Sequence, residues 1–307
     1  MMKHCKLAME DRISTLPSNI IELILMCLPI AEAVRTSILS SRWLYQWCTI
    51  PNLIFDKHSV PSGANYRLES IVDQVLLLHI GPIHKFVFDV NSYGGIKDRW
   101  LIFLSRKKLK ELALKCYRGD KIPTALYSCH AIESLDLYAC GFKLPCSFNG
   151  FSCLTSLLLK RFLTRGGVFK PFPTYSCLKK VLLSSFNFED QELVMTLGSL
   201  LQNTPVLREL QLEAYSVEST TPEPTSRCFD WKESRNFNLN ELRMVRLTEL
   251  VGVRNEMEFI EFILSTASRL ESLIIQVDVI GHEKVELFKE IMRFRRSSPI
   301  AEIIILD

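Results

Sequence analysis

The chain has 307 residues, of which 48% are hydrophobic and 23% are charged. This balance is typical of a folded protein and excludes a largely disordered chain. The formal net charge is only +3, from 37 basic and 34 acidic residues. The total charge therefore does not indicate binding to nucleic acid or to an anionic membrane. The length predicts one large repeat domain or two modest domains.

Ten cysteines are spread along the chain without a Cys-x-x-Cys pair and without histidines at zinc-ligand spacing. The N-terminal residues lack the apolar core and cleavage site of a secretory signal. No run of residues reaches the roughly 18 apolar side chains that a membrane-spanning helix needs. We therefore expect reduced thiols and a location in the cytoplasm, the nucleus or both.

Residues 11–50 form a first module, for which the apolar spacing predicts three short helices. Asn19 is the predicted cap of the first helix, which Pro29 ends. The second helix is predicted over 31–39, and the third begins at the serine pair Ser40-Ser41 and carries two tryptophans. About 40 residues are near the lower limit for a self-supporting core. Because the segment is very rich in aliphatic side chains, we expect part of its surface to be buried against a partner or the neighbouring repeats.

Residues 51–82 are predicted to be a helical connector. Apolar residues recur there at helical spacing, and Gly81-Pro82 ends the helix. The apolar residues of this helix are Leu68, Ile71, Val72, Val75 and Leu76. A rigid connector would hold the first module at a fixed distance from the rest of the chain.

An internal repeat occupies the remaining sequence, with the pattern apolar-x-x-apolar-x-apolar. The nine copies start at Ile83, Leu109, Ile132, Leu154, Leu178, Leu207, Leu242, Leu270 and Ile300. The starts are 22 to 35 residues apart, and most intervals are in or near the range of leucine-rich repeats. Each motif predicts a short strand with one inward face, which only stacking of neighbouring units can bury. We therefore predict an α/β solenoid of parallel strands in a curved sheet, with a helix after each strand on the convex side.

Several features between the motifs refine this prediction. The stretches 189–201 and 256–264 have the periodicity of helices, and the second begins with acidic residues. The polar, proline-containing stretch 220–227 is expected to loop out of the stack. Cys140 follows the third motif where such repeats often have a buried Asn or Cys bonded to the turn, so we interpret it as structural.

The motifs of the first module resemble an F-box. They are Leu16-Pro17, the aliphatic helix, Leu28-Pro29, Leu39-Ser-Ser-Arg-Trp43 and Trp47. Leu44 departs from the Lys or Arg that many F-boxes have after the tryptophan. The stretch 242–275 resembles the FBD region of plant F-box/FBD/leucine-rich-repeat proteins. The resemblance thus covers nearly the whole chain, with an F-box at 11–50, the connector at 51–82, leucine-rich repeats at 83–238 and FBD-like terminal repeats at 239–307. Relatives often have more repeats, and we interpret 165–171 as the place where units are missing.

The resemblance implies a substrate-recognition subunit of a Skp-cullin-F-box ubiquitin ligase, which needs no chemistry of its own. In this family the F-box binds a Skp-type adaptor, and the repeats hold a target protein. The implied adaptor-binding residues are Leu16, Pro17, Ile20, Ile24, Leu28, Pro29, Leu39, Ser40 and Trp43. For each of them two alternatives stay open, contact with the adaptor or packing in the interior of the module. Interior packing is favoured for Ile21, Leu25 and Trp47.

No motif indicates catalysis, a metal ion or a cofactor. The glycine pairs are isolated, the six histidines do not cluster, and no nucleophile is placed beside a base. An enzyme is therefore not predicted. The alternative function is a leucine-rich-repeat module that binds a protein or small ligand outside any ligase. The pattern does not identify the target or the residues that bind it, because specificity depends on exposed positions that periodicity cannot rank.

Overall fold

The computed structural model is an α/β structure with a small helical module followed by one ten-stranded sheet. It describes residues 13, 15–56, 59, 68–89, 95–116, 121–141, 145, 148–161, 172–215, 231, 237–279 and 281–306. The predicted fold class, a helical N-terminal module joined to an α/β repeat solenoid, is confirmed. The predicted loop at 220–227 and the stretch 165–171 lie outside the described residues.

The N-terminal module contains the α-helices α1 (Ser18–Met26) and α2 (Ile30–Arg35). Helix α1 begins directly after Pro17, and its first hydrogen bond runs from the Ile21 N–H to the Pro17 carbonyl. The predicted cap at Asn19 is therefore wrong, because Asn19 already lies in the first turn. Both helices follow a proline in an extended conformation, and neither has a side-chain cap.

The second half of the module is less regular than predicted. Helix α2 is followed by a 3-10 helix at Thr36–Ile38, turns at 41–45 and a second 3-10 helix at Gln46–Thr49. The predicted third α-helix is therefore wrong. Trp43 lies in the turn segment, so the spacing rules of an α-helix do not decide which way its side chain points.

The sheet contains ten parallel strands whose spatial order is their order in the chain. The strands are β1 (Asn52–Asp56), β2 (Lys85–Asp89), β3 (Glu111–Lys115), β4 (Ser134–Tyr138), β5 (Ser156–Lys160), β6 (Lys180–Phe186), β7 (Glu209–Ala214), β8 (Met244–Leu250), β9 (Ser272–Val277) and β10 (Glu302–Leu306). Each of the nine predicted motifs leads into one of the strands β2 to β10. Stacking of one strand per repeat thus produces a single continuous sheet.

Strand β1 is a tenth repeat that the sequence prediction missed. It pairs in parallel register with β2 and lies in the segment that was predicted to be a purely helical connector. The sequence did contain the repeat pattern here, since apolar-x-x-apolar-x-apolar also describes Ile50-Pro-Asn-Leu53-Ile-Phe55. The three residues at the apolar positions of this pattern, Ile50, Leu53 and Phe55, are buried. The sheet therefore starts immediately after the N-terminal module.

The repeats from β2 to β9 enter the sheet in the same way. One carbonyl of the preceding repeat accepts hydrogen bonds from two successive N–H groups, as when the N–H groups of Lys110 and Glu111 both donate to the His84 carbonyl at 2.9 Å. Along strands such as β3, β4 and β5 the side chains alternate between the core and the opposite face. The core is continuous, since buried side chains extend from α1 to the last repeat.

The α-helices lie in the longer intervals between strands. They are α3 (Leu68–Leu78) after β1, α4 (Asp98–Ser105) after β2, α5 (Gln191–Gln202) after β6, α6 (Arg254–Thr266) after β8 and α7 (His282–Arg293) after β9. Helices were predicted after every strand, but in the described part of the short interval after β3 the one helix is a 3-10 helix, Thr124–Ser128. A repeat of 22 or 23 residues does not leave room for an α-helix in addition to the strand and its turns.

Helices α5 and α6 confirm the periodicity of the sequence and have acidic caps. The Asp190 carboxylate accepts hydrogen bonds from the N–H groups of Glu192 and Leu193, at 2.9 and 3.2 Å. The buried Glu256 carboxylate accepts from three N–H groups that precede α6, of which Gly252 is the closest at 2.7 Å. Carboxylates satisfy backbone donors that the first turn of a helix leaves free.

Candidate functional site

Helix α1 has an inner and an outer apolar face. Ile21 and Leu25, four residues apart, are fully buried, which agrees with their predicted interior packing. Ile20 and Ile24, also four residues apart, are 36% and 38% exposed, and Leu28 continues their line at 36%. A helix that packs against the core on one side requires only one apolar face for its own stability. The outer face is therefore available for another protein.

The exposed surface continues beyond α1. Leu39 is 51% exposed, and the proline that precedes each of the two helices, Pro17 and Pro29, is also exposed. We call Ile20, Ile24, Leu28 and these three residues the outer patch. Six of the nine residues that the F-box resemblance implied for adaptor binding are thus exposed. Exposed apolar side chains concentrated in one short module are typical of sites of protein interaction.

The other three implied residues are less accessible. Leu16 is half-buried and packs against the core, and the Ser40 hydroxyl is shielded although its residue is partly exposed. Trp43 is only 2% exposed, and its indole Nε1 is shielded without a hydrogen-bond partner among the described residues. For Trp43 the structure therefore favours the alternative of interior packing. Trp43 lies in a turn and not in the predicted helix, so helical spacing did not predict the burial of its side chain.

The N-terminal module is firmly attached to the first repeats. The Ile80 N–H donates to the Cys48 carbonyl at 3.0 Å, and His79 Nε2 lies 2.9 Å from the Ile50 carbonyl. Burial lowers the pKa of the His79 imidazole below its usual value. The histidine thus joins the end of α3 to the entry of β1, and its role in the structure is to connect the two regions.

The second surface is the face of the sheet opposite the core, which we call the open face. Its charged side chains pair across neighbouring strands. Lys115 lies 2.7 Å from Asp89, Lys160 lies 3.1 Å from Asp136, and Lys180 lies 3.0 Å from Glu209. Because both partners of each pair are partly exposed, these pairs stabilise the fold only slightly. They do neutralise most of the charge on this face.

Uncharged aliphatic side chains occupy the middle of the open face between the charged pairs. Leu158 on β5 is in register with Leu182 on β6, and Ile274 on β9 is in register with Ile304 on β10. Arg246 on β8 is in register with Ile274 on β9. Its Nε is shielded from solvent and has no acceptor among the described residues. The sequence pattern did not single out Arg246.

The buried cysteines have structural environments. The Cys140 thiol lies 3.2 Å from the Tyr138 carbonyl and 3.7 Å from that of Leu114, which confirms its predicted bonding to the turn. Its hydrogen bond with Cys116 and its burial both raise the pKa of the Cys140 thiol. Burial alone raises the pKa of the Cys129 thiol to about 11. Thiols in this state are weak nucleophiles at neutral pH.

In the part of the chain that the structure describes, no group of three or more His, Cys, Asp and Glu side chains is arranged to hold a metal ion. None of the helices there combines the length and the apolar character needed to cross a membrane.

Comparison with known proteins identifies the N-terminal module. The F-box domain family matches residues 13–55, which include α1, α2 and β1. An F-box/FBD/LRR-repeat protein of Arabidopsis thaliana is 28% identical over 97% of this chain and 99% of its own length. The chain is a relative of the plant F-box/FBD/LRR-repeat proteins. The resemblance seen in the sequence is thereby confirmed, and the outer patch lies within the F-box.

Two other Arabidopsis thaliana proteins support the same relationship. A second F-box/FBD/LRR-repeat protein is 24% identical over 95% of this chain, which spans 66% of that relative. An FBD-associated F-box protein is 30% identical over 63% of this chain and 43% of its own length. The first alignment extends over 411 positions, which is at least 104 more than the 307 residues of this chain can fill. That F-box relative therefore has internal segments that this chain lacks.

Proposed function

We propose that this F-box protein is a non-catalytic substrate-recognition subunit of a Skp-cullin-F-box ubiquitin ligase in the cytoplasm, the nucleus or both. The F-box binds a Skp-type adaptor through its outer patch, and the adaptor connects it to the cullin and its RING protein. The repeats bind a target protein. The ligase modifies the target because binding raises its local concentration near the ubiquitin-charged enzyme.

The outer aliphatic face of α1 is the observation that carries this proposal. Ile20, Ile24 and Leu28 are each more than one-third exposed, although Ile21 and Leu25 on the same helix are completely buried. Fully burying an exposed aliphatic side chain contributes roughly 1.5–3 kcal/mol. The outer-patch residues have about a third to a half of their surface left to bury, so together they add several kcal/mol to a complex that covers them.

The attachment of the F-box to the sheet supports the proposed positioning of the target near the ubiquitin-charged enzyme. Because β1 follows the module directly and pairs with β2, a bound adaptor has a defined position relative to the open face. The ion pair between Arg99 on α4 and Asp73 on α3, with the Trp100 indole N–H donating to Asp73 at 2.7 Å, fixes the first two repeat helices to each other. A rigid first segment keeps a target at a constant distance from the ligase.

Direct binding to a purified Skp-type adaptor tests the proposal. The decisive variant is Ile20→Ser/Ile24→Ser, because it removes two partly exposed aliphatic side chains and keeps the buried Ile21 and Leu25. We expect an affinity loss on the order of 10-fold, because about a third of each side chain is left to be buried and full burial contributes about 1.5–3 kcal/mol. The thermal midpoint should change little.

Leu77→Ser/Leu78→Ser is the matched control for this experiment. Both leucines are at least 50% exposed on α3, outside the F-box. The control makes the same chemical change at two exposed aliphatic positions and should bind the adaptor as the wild type does. If the folded wild-type chain does not bind the adaptor, the ligase proposal is wrong, and the chain is better described as a repeat module that binds its partner outside a ligase.

A further inference from the structure

Arg246 lies in an aliphatic part of the open face near the end of the sheet. On β8 it is in register with Gln211 of β7 and with Ile274 of β9, and Ile274 is in register with Ile304 of β10. Met244, two residues before Arg246, points to the same face. One guanidinium group therefore lies at the border of a strip formed by Met244, Ile274 and Ile304.

Arg246 differs from the other cations near it in having no acidic partner. Lys180 pairs with Glu209 at 3.0 Å, and Arg243, three residues earlier, pairs with Glu271 at 3.0 Å. No described residue forms an ion pair with Arg246, and its Nε is shielded from solvent without an acceptor. Among the described residues, Arg246 is thus a cation of the open face without an ion-pair partner.

We propose that Arg246, Ile274 and Ile304 form a subsite for an extended target segment in which a side-chain carboxylate lies two residues from an aliphatic side chain. The guanidinium group has the planar geometry that binds a carboxylate through two parallel hydrogen bonds. The two isoleucines bury the aliphatic side chain of the segment. That the bound segment belongs to a ubiquitination target rests on the proposed ligase function.

Strand geometry sets the spacing of the two side chains in the segment. Neighbouring strands are about 4.8 Å apart, so Ile274 and Ile304 lie roughly 5 and 10 Å from Arg246 across the sheet. An extended segment that crosses the strands places every second side chain on the same face, at intervals of roughly 6.6 Å. When a carboxylate of the bound segment lies above Arg246, the side chain two residues away in that segment therefore lies above Ile274 and Ile304.

The charges around Arg246 favour a carboxylate over a phosphate. Phosphate recognition in proteins usually uses several cations, since a phosphoserine has a charge near −2. Arg246 is a single cation, and the nearest charged positions on β7 are the acidic Glu209 and Glu213. Lys180, the closest lysine on β6, is already paired with Glu209. The subsite is therefore suited to Asp or Glu.

Selection of peptides from a phage-displayed random dodecapeptide library on the full chain tests the subsite. We expect the wild type to enrich peptides with Asp or Glu two positions from Leu, Ile or Val. Arg246→Gln should lose this enrichment. Arg243→Gln is the matched control, because it removes the same charge from the same strand region at a residue that already has a partner, and it should select as the wild type does.

A binding titration with the most enriched peptide makes the test quantitative. We expect Arg246→Gln to weaken binding at least 10-fold, and replacement of the acidic residue of the peptide by its amide to do the same. The two changes together should weaken binding no more than either alone. The proposal is overturned if selection shows no acidic preference, if Arg243→Gln is equally impaired, or if a phosphoserine peptide binds more tightly than the carboxylate peptide.

The subsite and the ligase proposal fail in different ways. If the chain binds the Skp-type adaptor but the selected peptides have no acidic bias, only the subsite is wrong. If peptides are selected through Arg246 while the adaptor does not bind, the subsite stands and the ligase proposal is wrong.

Discussion

The F-box and the repeats are both rich in aliphatic side chains, but they bury these side chains to different extents. In β2 to β9 the apolar side chains of each motif are almost completely buried. In the F-box, Ile20, Ile24, Leu28 and Leu39 are between 36% and 51% exposed. Each repeat buries its motif against its neighbours, whereas the short F-box has more aliphatic surface than it can cover. This excess on one small module is the basis of the proposed adaptor site.

The ends of the helices show a related difference. Helices α1 and α2 of the F-box have no side-chain caps, while α5 and α6 of the repeats are capped by Asp190 and Glu256. The F-box helices therefore depend more on tertiary packing than on local hydrogen bonds. Packing of the F-box in turn depends on its few interior side chains.

The largest expected effect is at the interior of the F-box. Trp43→Ala should lower the free energy of unfolding of the region by about 3–5 kcal/mol, because it leaves a large cavity. Leu39→Ala, at an exposed residue, should change it by less than about 0.5 kcal/mol. Urea unfolding followed by far-UV circular dichroism measures both variants.

Trp43→Phe is the control for the loss of volume. It keeps most of the apolar volume and removes the indole N–H that has no described partner, so we expect it to destabilise the protein far less than Trp43→Ala and to retain adaptor binding. If Trp43→Ala were as stable as the wild type but unable to bind the adaptor, Trp43 would belong to the interface, as the sequence first implied.

A smaller effect is expected at the cap of α5. Asp190→Ala removes the acceptor of two backbone N–H groups and should lower the free energy of unfolding by about 1 kcal/mol, within a range of roughly 0.5–2. The denaturant midpoint reports the change. Asp190→Asn keeps an acceptor oxygen and should lower the free energy of unfolding by only a few tenths of a kcal/mol. Equal losses for the two variants would argue against capping.

The smallest effect is a pH dependence at Glu256. Burial raises the pKa of its carboxyl above the usual value, although the N–H groups of Gly252, Val253 and Val251 act in the opposite direction. A carboxyl whose pKa is higher in the folded state adds stability that is fully present below the unfolded pKa of about 4.3 and is lost as the pH rises through the folded pKa. The stability of the wild type relative to Glu256→Gln should therefore decrease as the pH rises above about 4.3.

Unfolding both proteins in urea at several pH values measures this difference, since the other titrating groups are common to the two. A relative stability that increased with pH would show that the three backbone donors outweigh burial, and that the pKa of Glu256 is lowered.

Much of the fold could be predicted from periodicity alone. The nine motifs from Ile83 to Ile300 each lead into a strand, and the helical stretches at 189–201 and 256–264 match α5 and α6. These predictions succeeded because each motif contains its own signal. Strand β1 was missed, although it has the same pattern, because the helical spacing from Leu68 to Leu76 led to the assignment of the whole segment 51–82 to a helical connector.

Predictions of the candidate site were less complete. The F-box motif named the six exposed residues of the outer patch, whose adaptor binding stays a prediction, but the spacing of residues could not assign Trp43 to the interior. The cap predicted at Asn19 failed because the helix had already started after Pro17. Arg246 was not found, since a cation without a partner can be recognised only when the side chains of the neighbouring strands are in place.

The sequence by itself determined the repeat, its strands and the family relationship of this protein, because these depend on apolar spacing that each short segment encodes locally. Only the tertiary structure decided which apolar side chains of the F-box stay exposed and which cation of the open face lacks a partner. Both depend on contacts between residues that are distant in the chain, and burial and charge pairing are properties of those contacts.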